Sequence, residues 1–228
     1  MHKNWGVVIV AAGRGTRMGT EESKQYLELK GKPILVHTIE RFENIGFIDE
    51  IVLVVGEQDI ARCQAWLEQF KWKKIKAIVA GGKERQQSVY KGLLHIGTEW
   101  TMVHDGVRPF VSESAIERCC QSAEQFQAAV LAVPVKDTIK QVDEQGSIVA
   151  TPDRKSLWAI QTPQAFRHEL LLDAHRQAEA AGFIGTDDAM VVEWIGAKVV
   201  VAEGEYTNIK ITTPEDLPWA EHLLTNIL

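Results

Sequence analysis

The chain has 228 residues, 45% of them hydrophobic and 25% charged, with a formal net charge of −6; that is the composition of an ordinary globular protein with one good-sized core. The acidic balance argues against wholesale binding to nucleic acid or to an anionic membrane, so any phosphate recognition has to be local. Residues 1–12 lack the flanks of a signal peptide and no run approaches the roughly 20 apolar residues of a bilayer span, so a cytoplasmic setting is expected.

In chain order, an apolar run at 6–10 predicts a first strand, which breaks into Gly13-Arg14-Gly15-Thr16-Arg17-Met18-Gly19 and then meets Lys24. A strand that ends in a glycine-rich loop carrying cations suits a polyanionic ligand. The loop is neither a Walker A motif, because Gly-Lys-Ser/Thr is missing, nor a G-x-G-x-x-G fingerprint. Amphipathic periodicity then predicts helices over 33–44, 58–70, 84–95 and 114–126, alternating with β-branched strands at 50–55, 76–80, 102–104 and 129–133.

Residues 134–166 break this rhythm. The run 134–142, the polar turn 143–147 and the second run 148–151 predict a β-hairpin with few apolar residues of its own. Such a hairpin is either an arm that needs a partner surface or a surface flap. Helices at 169–180 and 187–195, a strand at 198–201 and a last helix from Pro214 complete the chain. The alternation predicts a Rossmann-like, three-layer α/β domain over 1–228, with a mainly parallel sheet covered on both faces and a protruding β-hairpin arm at 134–157. Ligands of such sheets sit beyond the carboxyl ends of the strands, where both the 13–19 loop and Asp105 fall.

The three cysteines, Cys63, Cys119 and Cys120, form no C-x-x-C pair and lie near no histidine at ligand spacing, so they read as reduced packing residues. Other residues leave two readings open. Asp105 is either a ligand carboxylate or the cap of the turn after its strand. Gly81-Gly82 either lets backbone approach a base edge or is plain turn chemistry before a helix. Arg154 and Lys210 are either substrate contacts or solvated surface charges. His104 precedes Asp105 on a strand, so its ring is expected on the opposite face, in support of the site.

Taken in order, the motifs carry more than each does alone. Ala11-Ala12-Gly13-Arg14-Gly15-Thr16-Arg17-Met18 with Lys24-Gln25-Tyr26 resembles nucleotidyltransferases that couple a nucleoside triphosphate to a sugar or polyol phosphate. Gly81–Ser88, His104-Asp105-Gly106-Val107-Arg108-Pro109, Pro134–Thr138, Asp153-Arg154, Gln161–Gln164, Thr186-Asp187-Asp188 and Asn208-Ile209-Lys210 follow. The ordered set, spread from residue 11 to about residue 216, is similar to the 2-C-methyl-D-erythritol 4-phosphate cytidylyltransferase family.

That resemblance implies the nucleotidyltransferase fold and attack of a polyol phosphate oxygen on the α-phosphorus of CTP, with release of pyrophosphate. Ala11, Ala12, Gly13, Gly15, Gly81, Gly82, Ser88, Asp105 and Gly106 match the nucleotide-binding positions, and Arg17 and Lys24 match the transition-state cations. Arg154 and Lys210 match catalytic residues that position the polyol phosphate, with Arg108, Thr138, Thr162, Thr186 and Thr207 as supporting contacts. Mg²⁺ is expected, held mostly by the CTP phosphates with Asp105 as the protein candidate. The resemblance also implies a homodimer in which the arm of one subunit brings Arg154 and Thr138 to the site of the other. Ribitol 5-phosphate is the rival substrate, and a nucleotide sensor without turnover is the rival of another class.

Overall fold

A computed structural model describes residues 3–13 and 22–226. Strand β1 (Trp5–Ala11) opens the fold. The described chain resumes ahead of a 3-10 turn (Lys24–Tyr26) and a small hairpin of β2 (Glu28–Leu29) and β3 (Lys32–Pro33). Alternation follows: α1 (Ile34–Glu43), β4 (Ile48–Val55), α2 (Ile60–Phe70), β5 (Ile75–Ala80), α3 (Arg85–Leu93), β6 (Trp100–Asp105), α4 (Glu113–Phe126) and β7 (Ala128–Pro134). The short arm strands β8 (Gln141–Val142) and β9 (Ile148–Ala150) precede β10 (Trp158–Arg167), α5 (His168–Ala181), α6 (Asp188–Trp194), β11 (Val200–Glu203) and α7 (Asp216–Asn226).

The main sheet has seven strands in the order β11-β7-β10-β6-β1-β4-β5. Every neighbouring pair is parallel except those of β10, which runs antiparallel to both β6 and β7. Because side chains alternate across a strand, β1 feeds both layers. Val7 and Ile9 join Leu35, Phe42 and Ile116 in one core, while Val8 joins Val89, Val103 and Leu171 in the other. The central strands are apolar on both faces for this reason. Cys63, Cys119 and Cys120 are free and buried in the first core, as packing residues; burial pushes the thiols of Cys63 and Cys119 up to about 12.

β10 is the element that the sequence pattern does not show. Its run Trp-Ala-Ile-Gln-Thr-Pro-Gln-Ala-Phe-Arg lacks alternation and carries Pro163, which removes a ladder donor and reads against an interior strand. The strand accommodates it at an irregularity: pairing with β7 shifts between Ile160 and Gln164, and the Thr162–Pro163 peptide is cis. Within the stretch expected to form the arm, residues 141–142 and 148–150 pair as a short antiparallel ladder. Asp143 organises its turn, its carboxylate accepting from the backbone N–H groups of Gln145 and Ser147. Val142, Ile148 and Val149 on the arm are 58–62% exposed.

Candidate active site

The carboxyl ends of β1, β5 and β6 open onto one cleft. Gln25 is buried, and its Nε2 donates to the carbonyls of Ala11 (2.8 Å) and Gly13 (3.1 Å). This ties the Lys24–Tyr26 turn to the end of β1 and brings half-buried Lys24 to the wall of a cavity of about 320 Å³. Ala11, Ala12 and Gly13 form one side of that cavity; Gly82, Lys83 and Ser88 form another.

Asp105, the last residue of β6, stands at the floor. Lys210 Nζ lies 2.8 Å from its Oδ2, Arg85 Nε 3.3 Å from its Oδ1 and Arg108 Nε 3.7 Å from Oδ2. Burial alone would raise this carboxyl, but Arg85, Lys210 and Arg108 outweigh it and hold Asp105 below the usual carboxylate range. A second cavity of about 170 Å³, with Gln161, Thr162, Thr186 and Asp187 in its wall, adjoins the first; Arg85, Asp105 and Lys210 line both.

A buried hydrogen-bond chain fixes the strand ends beneath. The carbonyl of Arg108 can only accept, so His104 Nε2 carries the proton in their 3.0 Å bond, and His104 Nδ1 accepts from the Thr162 hydroxyl at 3.1 Å. Thr162 Oγ1 in turn accepts from the backbone N–H of Asp105 at 3.0 Å. Burial pushes the His104 imidazole down to about 4. His104 is 0% exposed and packs on Phe42 at 4.8 Å between ring centroids, away from both cavities. Asn208 completes the floor: its Nδ2 donates to the Thr162 carbonyl (2.9 Å), and its backbone carbonyl accepts from Arg108 Nη1 (2.7 Å).

Of the expected nucleotide positions, Ala11, Ala12, Gly13, Gly82, Ser88 and Asp105 line the first cavity. Arg17 and Gly15 lie outside the described residues. Gly106 is a close-packing position, since a Cβ there would stand 2.9 Å from Ala11 Cβ. The same holds for Gly81, where a Cβ would meet Ala12 Cβ at 2.3 Å, so its glycine is required by protein packing. Ser88 is engaged locally: its Oγ accepts from the Gly82 N–H (3.0 Å) and donates to the Glu84 carbonyl (3.1 Å).

Arg108, Thr162, Thr186 and Lys210 meet in the second cavity, which Thr207 does not line. Thr138 and Arg154 are exposed on the arm and line neither cavity of their own chain; Arg154 Nη1 donates to the Lys136 carbonyl at 2.8 Å. Sequence reasoning missed Arg85 and Asp188. Both lie inside motifs quoted above, but their spacing gives no sign that a helix start at 85 and another at 188 converge.

At the level of class, this is a nucleotidyltransferase: an open, mainly parallel sheet with a cleft past its strand ends, where Lys24 and Lys210, from distant parts of the chain, line the same cavity as the buried Asp105. Residues 6–226 match the family model described as 2-C-methyl-D-erythritol 4-phosphate cytidylyltransferase. Curated relatives of that description are 48% identical in Bacillus licheniformis, over 97% of this chain and 96% of the relative, and 50% identical in Caldanaerobacter subterraneus subsp. tengcongensis, over 97% and 99%. The crystal structure of 4-diphosphocytidyl-2C-methyl-D-erythritol synthase from Anaerococcus prevotii superposes with a TM-score of 0.88 at 34% identity, covering 99% of this chain and 97% of that one. The chain belongs to the 2-C-methyl-D-erythritol 4-phosphate cytidylyltransferase family. No helix among its described residues is long and apolar enough to cross a membrane.

Proposed function

We propose that the chain is a cytoplasmic, Mg²⁺-dependent, homodimeric enzyme that converts CTP and 2-C-methyl-D-erythritol 4-phosphate into 4-diphosphocytidyl-2-C-methyl-D-erythritol and pyrophosphate, a step of the non-mevalonate isoprenoid pathway. The observation that carries the reading is the pair of adjoining cavities with Arg85, Asp105 and Lys210 at their junction. CTP occupies the larger cavity, its triphosphate running from the Ala11–Gly13 strand end past Lys24. The polyol phosphate occupies the smaller one beside Thr162 and Thr186.

A phosphate oxygen of the polyol attacks the α-phosphorus of CTP; the new P–O bond forms as the bond to the β-phosphate oxygen breaks, and pyrophosphate leaves. Negative charge grows on the nonbridging oxygens and on the leaving group. Lys24 and Arg17 are assigned to that charge, where fixed cations lower the barrier far more than they would in water. Lys210, held on Asp105, faces the incoming phosphate.

Asp105 is the carboxylate whose chemistry fits Mg²⁺, because it is ionised and borders the triphosphate cavity; one carboxylate with phosphate oxygens is a common donor set for this ion. When bound, the ion would neutralise phosphate charge and polarise the reacting phosphoryl group. Arg154 and Thr138 reach a site only if the arm enters a second copy, and the exposed Val142, Ile148 and Val149 supply an apolar surface for that docking.

Pyrophosphate release from CTP, measured with 2-C-methyl-D-erythritol 4-phosphate and with ribitol 5-phosphate, tests the reading. Turnover with the first is expected. Turnover with ribitol 5-phosphate alone, or CTP binding without any release, overturns it.

A further inference from the structure

Beneath the two cavities a buried carboxylate, Asp188, stands between Arg85 and His175 and has no part in the transfer chemistry proposed above. Asp188 is the first residue of α6, yet the cap of that helix is its neighbour: Asp187 accepts the Met190 N–H and also bonds Gln164 Nε2. Asp188 instead turns inward and is 1% exposed. Its Oδ2 meets Arg85 Nη1 at 2.9 Å, and its Oδ1 lies 3.3 Å from Nε2 of the equally buried His175. Arg85, the first residue of α3, therefore spans two carboxylates from different elements, with Nη1 on Asp188 and Nε on Asp105. A planar guanidinium fork does this with two nitrogens in fixed directions, which the flexible ammonium of a lysine does not reproduce.

Burying such charges costs desolvation, and apolar residues of similar volume would often stabilise a fold as well or better. What the ion pair fixes is direction. With both ends tied down, the open part of the Arg85 side chain, 28% exposed, is presented where the larger and smaller cavities meet.

We propose that Asp188, backed by His175, is a positioning residue for the transfer reaction: it aims Arg85 at the junction of the two cavities, where Arg85 braces Asp105 and meets the phosphoryl oxygens passing between the substrates. This rests on the cytidylyl transfer proposed above. Without Asp188 the guanidinium keeps its charge and loses its aim.

The test measures kcat and KM for CTP and 2-C-methyl-D-erythritol 4-phosphate in the wild type, Asp188→Asn, Arg85→Lys and the double variant, with melting temperatures alongside. Asp188→Asn is expected to lower kcat/KM on the order of 10²-fold, the cost of about 1 Å of misplacement at a reacting centre. Arg85→Lys should cost about as much, because the ammonium keeps the charge and loses the fixed fork that holds both carboxylates. In the double variant the two losses should not multiply, since both remove one device.

Multiplying losses would overturn the proposal, as would an Asp188→Asn enzyme with a lower melting temperature and wild-type kinetics. Should Asp188→Asn fail to fold, wild-type kcat/KM in Arg85→Lys overturns it alone, and a kcat loss at saturating substrates in that folded variant supports it. Absence of turnover in the wild type defeats the assigned reaction instead, so the two failures are distinguishable.

Discussion

Gly81→Ala puts the packing of the nucleotide cleft under direct load. Gly81 carries no positive φ, so alanine meets no backbone penalty of that kind. Its Cβ, however, would stand 2.3 Å from Ala12 Cβ and 2.9 Å from Ser88 Oγ. Carbon atoms in contact sit about 3.5–4.0 Å apart, so more than about 1 Å has to open between residues 81 and 12. Ser88 could rotate away only by surrendering its bond to the Gly82 N–H. Ala12 has no rotamer to change, so backbone must move at residue 12 or at residue 81, and Ala12 and Gly82 are both walls of the nucleotide cavity. Overpacking of this kind costs about 1–3 kcal/mol of stability. A displacement of about 1 Å at a reacting centre costs on the order of 10²-fold in rate. Steady-state kinetics with varied CTP should therefore show kcat/KM for CTP reduced by that order, with the variant still folded. Gly46→Ala is the control: its Cβ would meet nothing within 4 Å, and it should leave stability within about 0.5 kcal/mol and kinetics unchanged. Wild-type kcat/KM for CTP in Gly81→Ala would refute the claim that the 12–81 contact shapes the cleft.

Lys24→Ala should lower kcat by about 10²–10³, or roughly 3–4 kcal/mol, in a pre-steady-state or steady-state assay; a loss of only about 0–1 kcal/mol, the scale of an exposed ion pair, would remove it from the chemistry. Acid should weaken the fold through His104, which is held neutral with its pKa pushed down from 6.5 to about 4. The unfolded chain takes up a proton that the folded chain refuses, so this contribution is complete above pH 6.5 and lost as pH falls toward 4, about 3 kcal/mol in total. His37 and His168 shift in the same direction, so the His104 share is the difference between the wild type and His104→Gln in urea midpoints across that window; parallel curves would refute it. On the arm, Val149→Lys should yield a monomer by sedimentation that binds CTP and turns over poorly, whereas a dimer of undiminished activity would exclude the arm as the interface.

Most of the fold was legible because period and position agree in it. β1 and the second half of β4, Ile51–Val55, are unbroken apolar runs because both faces are buried, and the helices between the strands show one apolar stripe each. β10 was hidden by the opposite circumstance: an interior proline and a polar Gln-Thr-Pro-Gln centre, tolerated because pairing is irregular there and because the same polar residues serve the site, Thr162 on Asp105 and Gln164 on Asp187. A strand selected for its side chains toward a cleft loses the alternation that identifies strands.

The site divides in the same way. Gly13 and Asp105 stand at strand ends and Lys24 follows the glycine-rich run, but Lys210 gained its reading only from the ordered set of motifs, and the close approach of Ala12 to Gly81 was legible only in three dimensions. Arg85 and Asp188 are 103 residues apart and gain meaning only from their ion pair. Conversely, Arg154 was singled out by the ordered motifs and lines neither of the two cavities in its own chain. In the proposed homodimer such a residue serves the site of the second copy, so its role follows from the assembly and not from the fold of one chain.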